Sequence, residues 1–159
     1  MELAQAYLDY QKRIISFYYS NDVMNRITDK IWLGSSRARF HLKENNITAV
    51  ISLVSPHQHE RILSPLKIPE YRINLYDSRS ARIIDIIYKV THIIENSDEI
   101  FLIHCMKGKS RSAAVLIGYL MLTEGLHYEE AYERIARVRP CIRPNAGFIR
   151  QLKSNWRPQ

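Results

Sequence analysis

Apolar residues at Leu3, Tyr7, Tyr10, Ile14 and Phe17 recur at alternating steps of four and three, the spacing of one helix face. The pattern predicts an N-terminal helix that ends at Asn21-Asp22. Ile31-Trp32-Leu33 reads as a short strand closed by Gly34, and Ser35 or Ser36 as the cap of a helix to about Lys43. Thr48–Val54 is β-branched and apolar on both faces, as a buried strand is. Tyr71–Leu75 is a further strand, and Ile83, Ile86, Ile87, Val90 and Ile94 form a second helical stripe. Ile100–Ile103 is a short buried strand. Ala113–Leu122 is apolar all round, which predicts a central buried helix stopped at Glu124-Gly125. Tyr128–Val138 and Phe148–Trp156 complete the chain as helices, with the sequence RPCIRPN as the break between them.

Strands alternating with helices predict an α/β domain: a central, mostly parallel twisted sheet flanked by helices, with an extra helix in front. In such sheets ligands bind beyond the C-terminal ends of the strands. His104–Arg111 follows one strand and opens the next helix, so it falls where an α/β protein places its site.

Composition adds limits. A chain of 159 residues with 46% hydrophobic and 25% charged residues reads as one globular domain without linkers or repeats. Its N-terminus lacks a signal peptide, since Asp9 and Lys12-Arg13 interrupt it, and the apolar run Ala113–Leu122 is too short for a bilayer. The expected address is the cytoplasm by default, with Cys105 and Cys141 as free thiols. The net charge of +7 favours anionic partners without naming them, with a solvated basic surface as the alternative reading. A nucleic-acid partner is disfavoured, though left open, because the basic residues are not interleaved with aromatics. His57-x-His59 reads as a solvated loop, and no cluster of metal-ligand spacing completes it. Gly34-Ser35-Ser36 lacks the spacing of a nucleotide-binding loop. No metal and no cofactor are expected.

The chemistry concentrates at His104–Ser112, with the sequence HCMKGKSRS. A loop wrapping onto a helix N-terminus points backbone N–H groups inward and, with the helix dipole, makes an anion site. Positive potential there favours the thiolate of Cys105. Arg111, six residues on, adds a planar fork matched to phosphate oxygens, and Gly108 lets the backbone bend. A nucleophile under a cradle for a tetrahedral anion suits phosphoryl transfer through a phosphocysteine.

HCMKGKSRS resembles the His-Cys-x5-Arg-Ser/Thr signature of cysteine-dependent protein phosphatases. ITDKIWLGS (Ile27–Ser35) and RPCIRPNAGFIRQL (Arg139–Leu152) resemble the entry strand and C-terminal segment of the dual-specificity branch. The resemblance covers roughly Asn25 to Trp156 and implies a protein-tyrosine-phosphatase-like fold. It implies Cys105 as nucleophile, and Arg111 with the amides of Met106, Lys107, Gly108, Lys109 and Ser110 as phosphoryl ligands. His104 would hold the loop, Ser112 would donate to the sulfur, and Asn145 would brace the loop. The general acid would be Asp77, 28 residues before Cys105, with Asp85 as competitor on a helix.

The implied activity is removal of phosphate from phosphotyrosine, phosphoserine and phosphothreonine of a phosphoprotein. Lys107 and Lys109 depart from the branch, where small or uncharged residues are common. They keep polyanionic substrates open as an alternative, a phosphoinositide or an RNA 5′-triphosphate, with a phosphate-binding module behind. Residues 1–20 form the extra helix, which packs on its own domain or pairs with a second copy as a homodimer. Residues 21–159 form the catalytic domain, and Cys141 is a packed thiol or a redox partner of Cys105.

Overall fold

The computed structural model describes residues 2–18 and 23–158. Three strands of continuous apolar character lie side by side at its centre, because buried parallel strands have no polar face to offer. The sheet comprises β1 (Met24–Arg26), β2 (Ile31–Gly34), β3 (Ala49–Val54), β4 (Glu70–Asn74) and β5 (Phe101–His104). Its order is β1-β2-β5-β3-β4, with β1 antiparallel to β2 and the other pairs parallel. β5 is therefore central, and every residue of β3 and β5 is buried. The mostly parallel α/β sheet matches the sequence pattern.

The helices are α1 (Glu2–Tyr18), α2 (Pro56–Arg61), α3 (Ile84–Glu95), α4 (Arg111–Glu124), α5 (Tyr128–Val138) and α6 (Ala146–Lys153). α4 is buried from Arg111 through Met121, as an all-round apolar helix must be. It ends at Gly125, whose φ of 65° is the left-handed cap that glycine adopts without strain. Its N-terminus abuts the C-terminal end of β5, so the Cys105–Ser110 loop is pinned between two buried elements.

Some elements differ from the pattern. The helix expected from Ser35 to Lys43 is two 3-10 turns, Ser36–Phe40 and Lys43–Asn45. The break at His41-Leu42 leaves runs closed by i to i+3 bonds, such as Ala38 N–H to Ser35 O and His41 N–H to Ala38 O. α4 starts at Arg111 rather than Ala113, and α6 starts at Ala146 rather than Phe148 because Asn145 caps it, accepting from Phe148 N–H at 3.0 Å. α2 occupies the segment read as a solvated loop. Ser55 and Gln58 form its capping box, and His59 is buried, its Nε2 donating to Ile73 O at 3.0 Å. The side chains of Leu3, Tyr7, Leu8 and Tyr10 on α1 are exposed, so this part of the stripe is not packed on the domain. The expected helix end at Asn21-Asp22, and the side chains of Ile14 and Phe17, lie outside the described residues.

One contact ties α6 to the loop after β4. A Cβ on Gly147 would lie 2.0 Å from the carbonyl oxygen of Arg79. Helix propensity alone favours alanine over glycine by about 1 kcal/mol. The collision is with backbone, which cannot swing aside, so the steric term dominates. Gly147→Ala should lower the unfolding free energy by about 1–3 kcal/mol in a urea titration. A variant more stable than the parent would contradict this packing.

Candidate active site

Every carbonyl of the loop between β5 and α4 has a donor on its outer side. Cys105 O accepts from His104 Nδ1 at 2.8 Å, and Met106 O from Ser36 N–H at 3.0 Å. Lys107 O and Gly108 O accept from Arg139 Nη2 at 3.3 Å and Nε at 2.9 Å. Lys109 O accepts from Arg143 N–H at 2.6 Å, and Ser110 O from Ala114 N–H at 2.8 Å. The described chain has no cis peptide bond, so each outward carbonyl turns the next N–H the other way. The amides of Met106, Lys107, Gly108, Lys109, Ser110 and Arg111 therefore face the inside of the loop. Gly108, with φ 65°, makes the bend, and a Cβ there would lie 2.4 Å from the Gly34 backbone.

Cys105 forms the floor and is 2% exposed. Gly108 N–H donates to its Sγ at 3.2 Å, and Ser112 Oγ lies 3.1 Å from the same sulfur. Arg111 opens α4 and is 7% exposed. Its Nη1 donates to Gln58 Oε1 at 2.7 Å and Leu75 O at 3.2 Å. Gln58 holds that angle because its Oε1 also accepts from Ser55 N–H at 3.0 Å. The anchor is a neutral amide, so the guanidinium keeps its full charge for an incoming anion.

Asp77, in the loop after β4, lies against the same rim. Its Oδ1 accepts from Ser110 Oγ at 2.7 Å and from Asn145 Nδ2 at 3.0 Å. Asn145 Nδ2 also donates to Ser78 O at 3.1 Å, and Asn145 N–H to Ser110 Oγ at 3.0 Å. Cys105, Arg111, Ser112, Ser110, Asp77 and Asn145 thus meet at one place. Asp85 sits exposed in the first turn of α3. Lys107 is exposed, Lys109 is half-buried, and Cys141 is a buried free thiol. Among the described residues no group of three or more His, Cys, Asp or Glu is placed to hold a metal ion.

Sequence reading missed the buried arginines. Arg139 is fully buried and also donates to Asn25 Oδ1 at 2.8 Å, so it braces the loop rather than joining a solvated surface. Arg39, 9% exposed, lies under His104. It pairs with Glu70, and its Nη1 is 3.1 Å from Ser52 Oγ and 3.2 Å from His104 Nε2. The one sequence signal for Arg139 was its place in the segment RPCIRPN; Arg39 gave none.

His104 is fully buried, and burial lowers its pKa to about 4, with the Arg39 charge acting in the same direction. Burial also lowers that of His59, with the Arg72 charge acting the same way. The unfolded imidazole near 6.5 binds a proton first as pH falls, so acid favours the unfolded chain. The stability from a neutral His104 is present above about pH 6.5 and is lost as pH falls toward 4. Unfolding free energy should drop by about 2 kcal/mol between pH 7 and pH 5, with a flatter slope in His104→Asn. Equal stability at both pH values would contradict a buried neutral imidazole.

Residues 31–157 match the family model described as dual specificity phosphatase, catalytic domain. The chain is 30% identical over 155 residues to protein phosphatase Slingshot homolog 3 of Mus musculus, covering 94% of this chain and 24% of that protein. It is 32% identical over 131 residues to protein 123R of Invertebrate iridescent virus 6, which carries a tyrosine-phosphatase name, covering 80% and 87%. Among solved structures, the human tyrosine phosphatase-like serine/threonine/tyrosine-interacting protein superposes with a TM-score of 0.77 at 28% identity, covering 82% of this chain and 93% of the other. The chain spans about a quarter of the length of the mouse relative and most of the viral one. With the family model spanning residues 31–157, most of its length, the chain belongs to the dual-specificity phosphatase catalytic-domain family.

Proposed function

We propose that the chain is a protein phosphatase that hydrolyses phosphotyrosine and phosphoserine or phosphothreonine through a phosphocysteine. The observation that carries the reading is the ring of inward amides above a buried cysteine. The phosphoryl oxygens take those amides and the Arg111 guanidinium, which hold them as charge develops in the transition state. The Cys105 sulfur attacks phosphorus, the S–P bond forms, and the bond to the leaving oxygen breaks. Asp77, held at Oδ1, delivers a proton from Oδ2 to that oxygen. Water then attacks the phosphocysteine and gives its proton back to Asp77, and phosphate leaves. Ser112 donates to the departing thiolate at the end of that step. His104 and Asn145 hold the two sides of the loop. Both cysteines are free and buried, which supports work in a reducing compartment such as the cytoplasm. No described helix is long and apolar enough to cross a membrane.

Two measurements test this reading. Asp77→Asn should slow esters with poor leaving groups by roughly a hundredfold or more, and good leaving groups far less. Equal slowing of both would move the acid to Asp85 or another group. Offered phosphotyrosine and phosphothreonine peptides, inositol phosphates and 5′-triphosphate RNA, the protein should hydrolyse the peptides best. Preference for either polyanion would overturn the protein-substrate reading, and binding without hydrolysis would overturn the enzyme.

A further inference from the structure

We propose that Gln58 is a positioning residue whose neutrality sets the oxyanion affinity of the site. A carboxylate in its place would make a more stable cap for α2 and a weaker phosphate site. The kinetic part rests on the phosphatase reading above, while phosphate binding is measured without turnover.

The donors of Arg111 divide into two sets. A guanidinium carries one N–H on Nε and a pair on each terminal nitrogen, all in one plane. Nη1 directs its pair to Gln58 Oε1 at 2.7 Å and Leu75 O at 3.2 Å. Among the described residues nothing takes Nε or Nη2. Those two nitrogens share one edge of the fork, the edge that meets two phosphate oxygens side by side. Arg111 is buried, so the direction of that edge follows from whatever holds Nη1.

Gln58 is itself fixed at both ends of α2. Its Oε1 also accepts from Ser55 N–H at 3.0 Å, within the capping box. The far end of α2 is tied to β4: His59 Nε2 donates to Ile73 O, and Arg72 donates to His59 O and Leu63 O. Arg72 Nε in turn reaches Glu70 Oε1 at 3.2 Å. A continuous set of contacts thus runs from β4 through α2 to Arg111. The third position of a capping box takes Glu as readily as Gln. The helix by itself favours Glu there, since a carboxylate faces the positive end of the peptide dipoles. In this fold that carboxylate would lie against Arg111 Nη1. It would pair with the guanidinium and oppose a phosphoryl dianion arriving on the other edge. Stability and oxyanion affinity therefore pull in opposite directions at residue 58.

The test compares the full chain with its Gln58→Glu and Gln58→Met variants. Three quantities are measured: binding of inorganic phosphate by calorimetry, kcat and KM on an aryl phosphate, and the urea midpoint. Gln58→Glu keeps both hydrogen bonds and adds a charge. Its phosphate affinity should fall roughly tenfold, and KM should rise by a similar factor. Its urea midpoint should equal or exceed that of the parent. Gln58→Met keeps the length and removes the acceptor, so Arg111 loses its fixed direction and kcat should fall roughly tenfold to a hundredfold. A merely structural role would lower the urea midpoint and phosphate affinity together in both variants. That result, or a Gln58→Glu protein that binds phosphate as tightly as the parent, overturns the proposal. A parent that binds phosphate and leaves every ester intact would sink the phosphatase reading instead, and the phosphate affinities of the variants would still decide the role of Gln58.

Discussion

A loop that turns its amides toward one point must turn its carbonyls away from it, and in a buried place each of those carbonyls needs a donor. The segment from Cys105 to Arg111 meets that constraint with donors from widely separated parts of the chain: Ser36, His104, Arg139 and Arg143. The anion cradle is thus a tertiary product. The turn after β2 and the connection between α5 and α6 are its outer wall. Gly34 and Gly108 permit the wall and the loop to touch at backbone distance.

The same constraint accounts for the unusual burial of three arginines. Arg139 satisfies carbonyls and an amide oxygen. Arg39 is matched by Glu70, since a buried cation is costly unless it is paired and hydrogen-bonded. Arg111 is held by neutral acceptors, Gln58 Oε1 and Leu75 O. Those anchors fix its direction while leaving its charge to be met by a phosphoryl group. Each arginine is held by the partner its task requires, and the positive field of the site is built into the resting fold.

Much of this frame was legible in the sequence. The pattern of β3, β5, α4 and α5 is governed by burial, and burial writes itself into apolar periodicity; the α5 range Tyr128–Val138 coincides with its helical pattern. The junction at His104-Cys105 was visible because a strand's apolar run stops there. β1 was missed because Met24–Arg26 is too short and mixed to carry a period. α2 was missed because its six residues are held by the Ser55–Gln58 cap rather than by an apolar stripe. Arg39 and Arg139 were not picked out as buried, because a side chain's partners, not its own type, decide whether it is buried. Gln58, three residues after Ser55, carried a capping signal but none for its second role: its hold on Arg111 exists only once α2 is set beside the N-terminus of α4.

The central claim is that Cys105 itself accepts the phosphoryl group. Ser112→Ala removes the hydroxyl 3.1 Å from the sulfur, which should slow release of the thiolate and let the intermediate accumulate. Acid quenching of this variant during turnover, followed by peptide mass spectrometry, should find one phosphoryl group on the peptide containing Cys105 and none in the absence of substrate. An unmodified Cys105 during active turnover, or a phosphoryl group on another residue, would contradict the account.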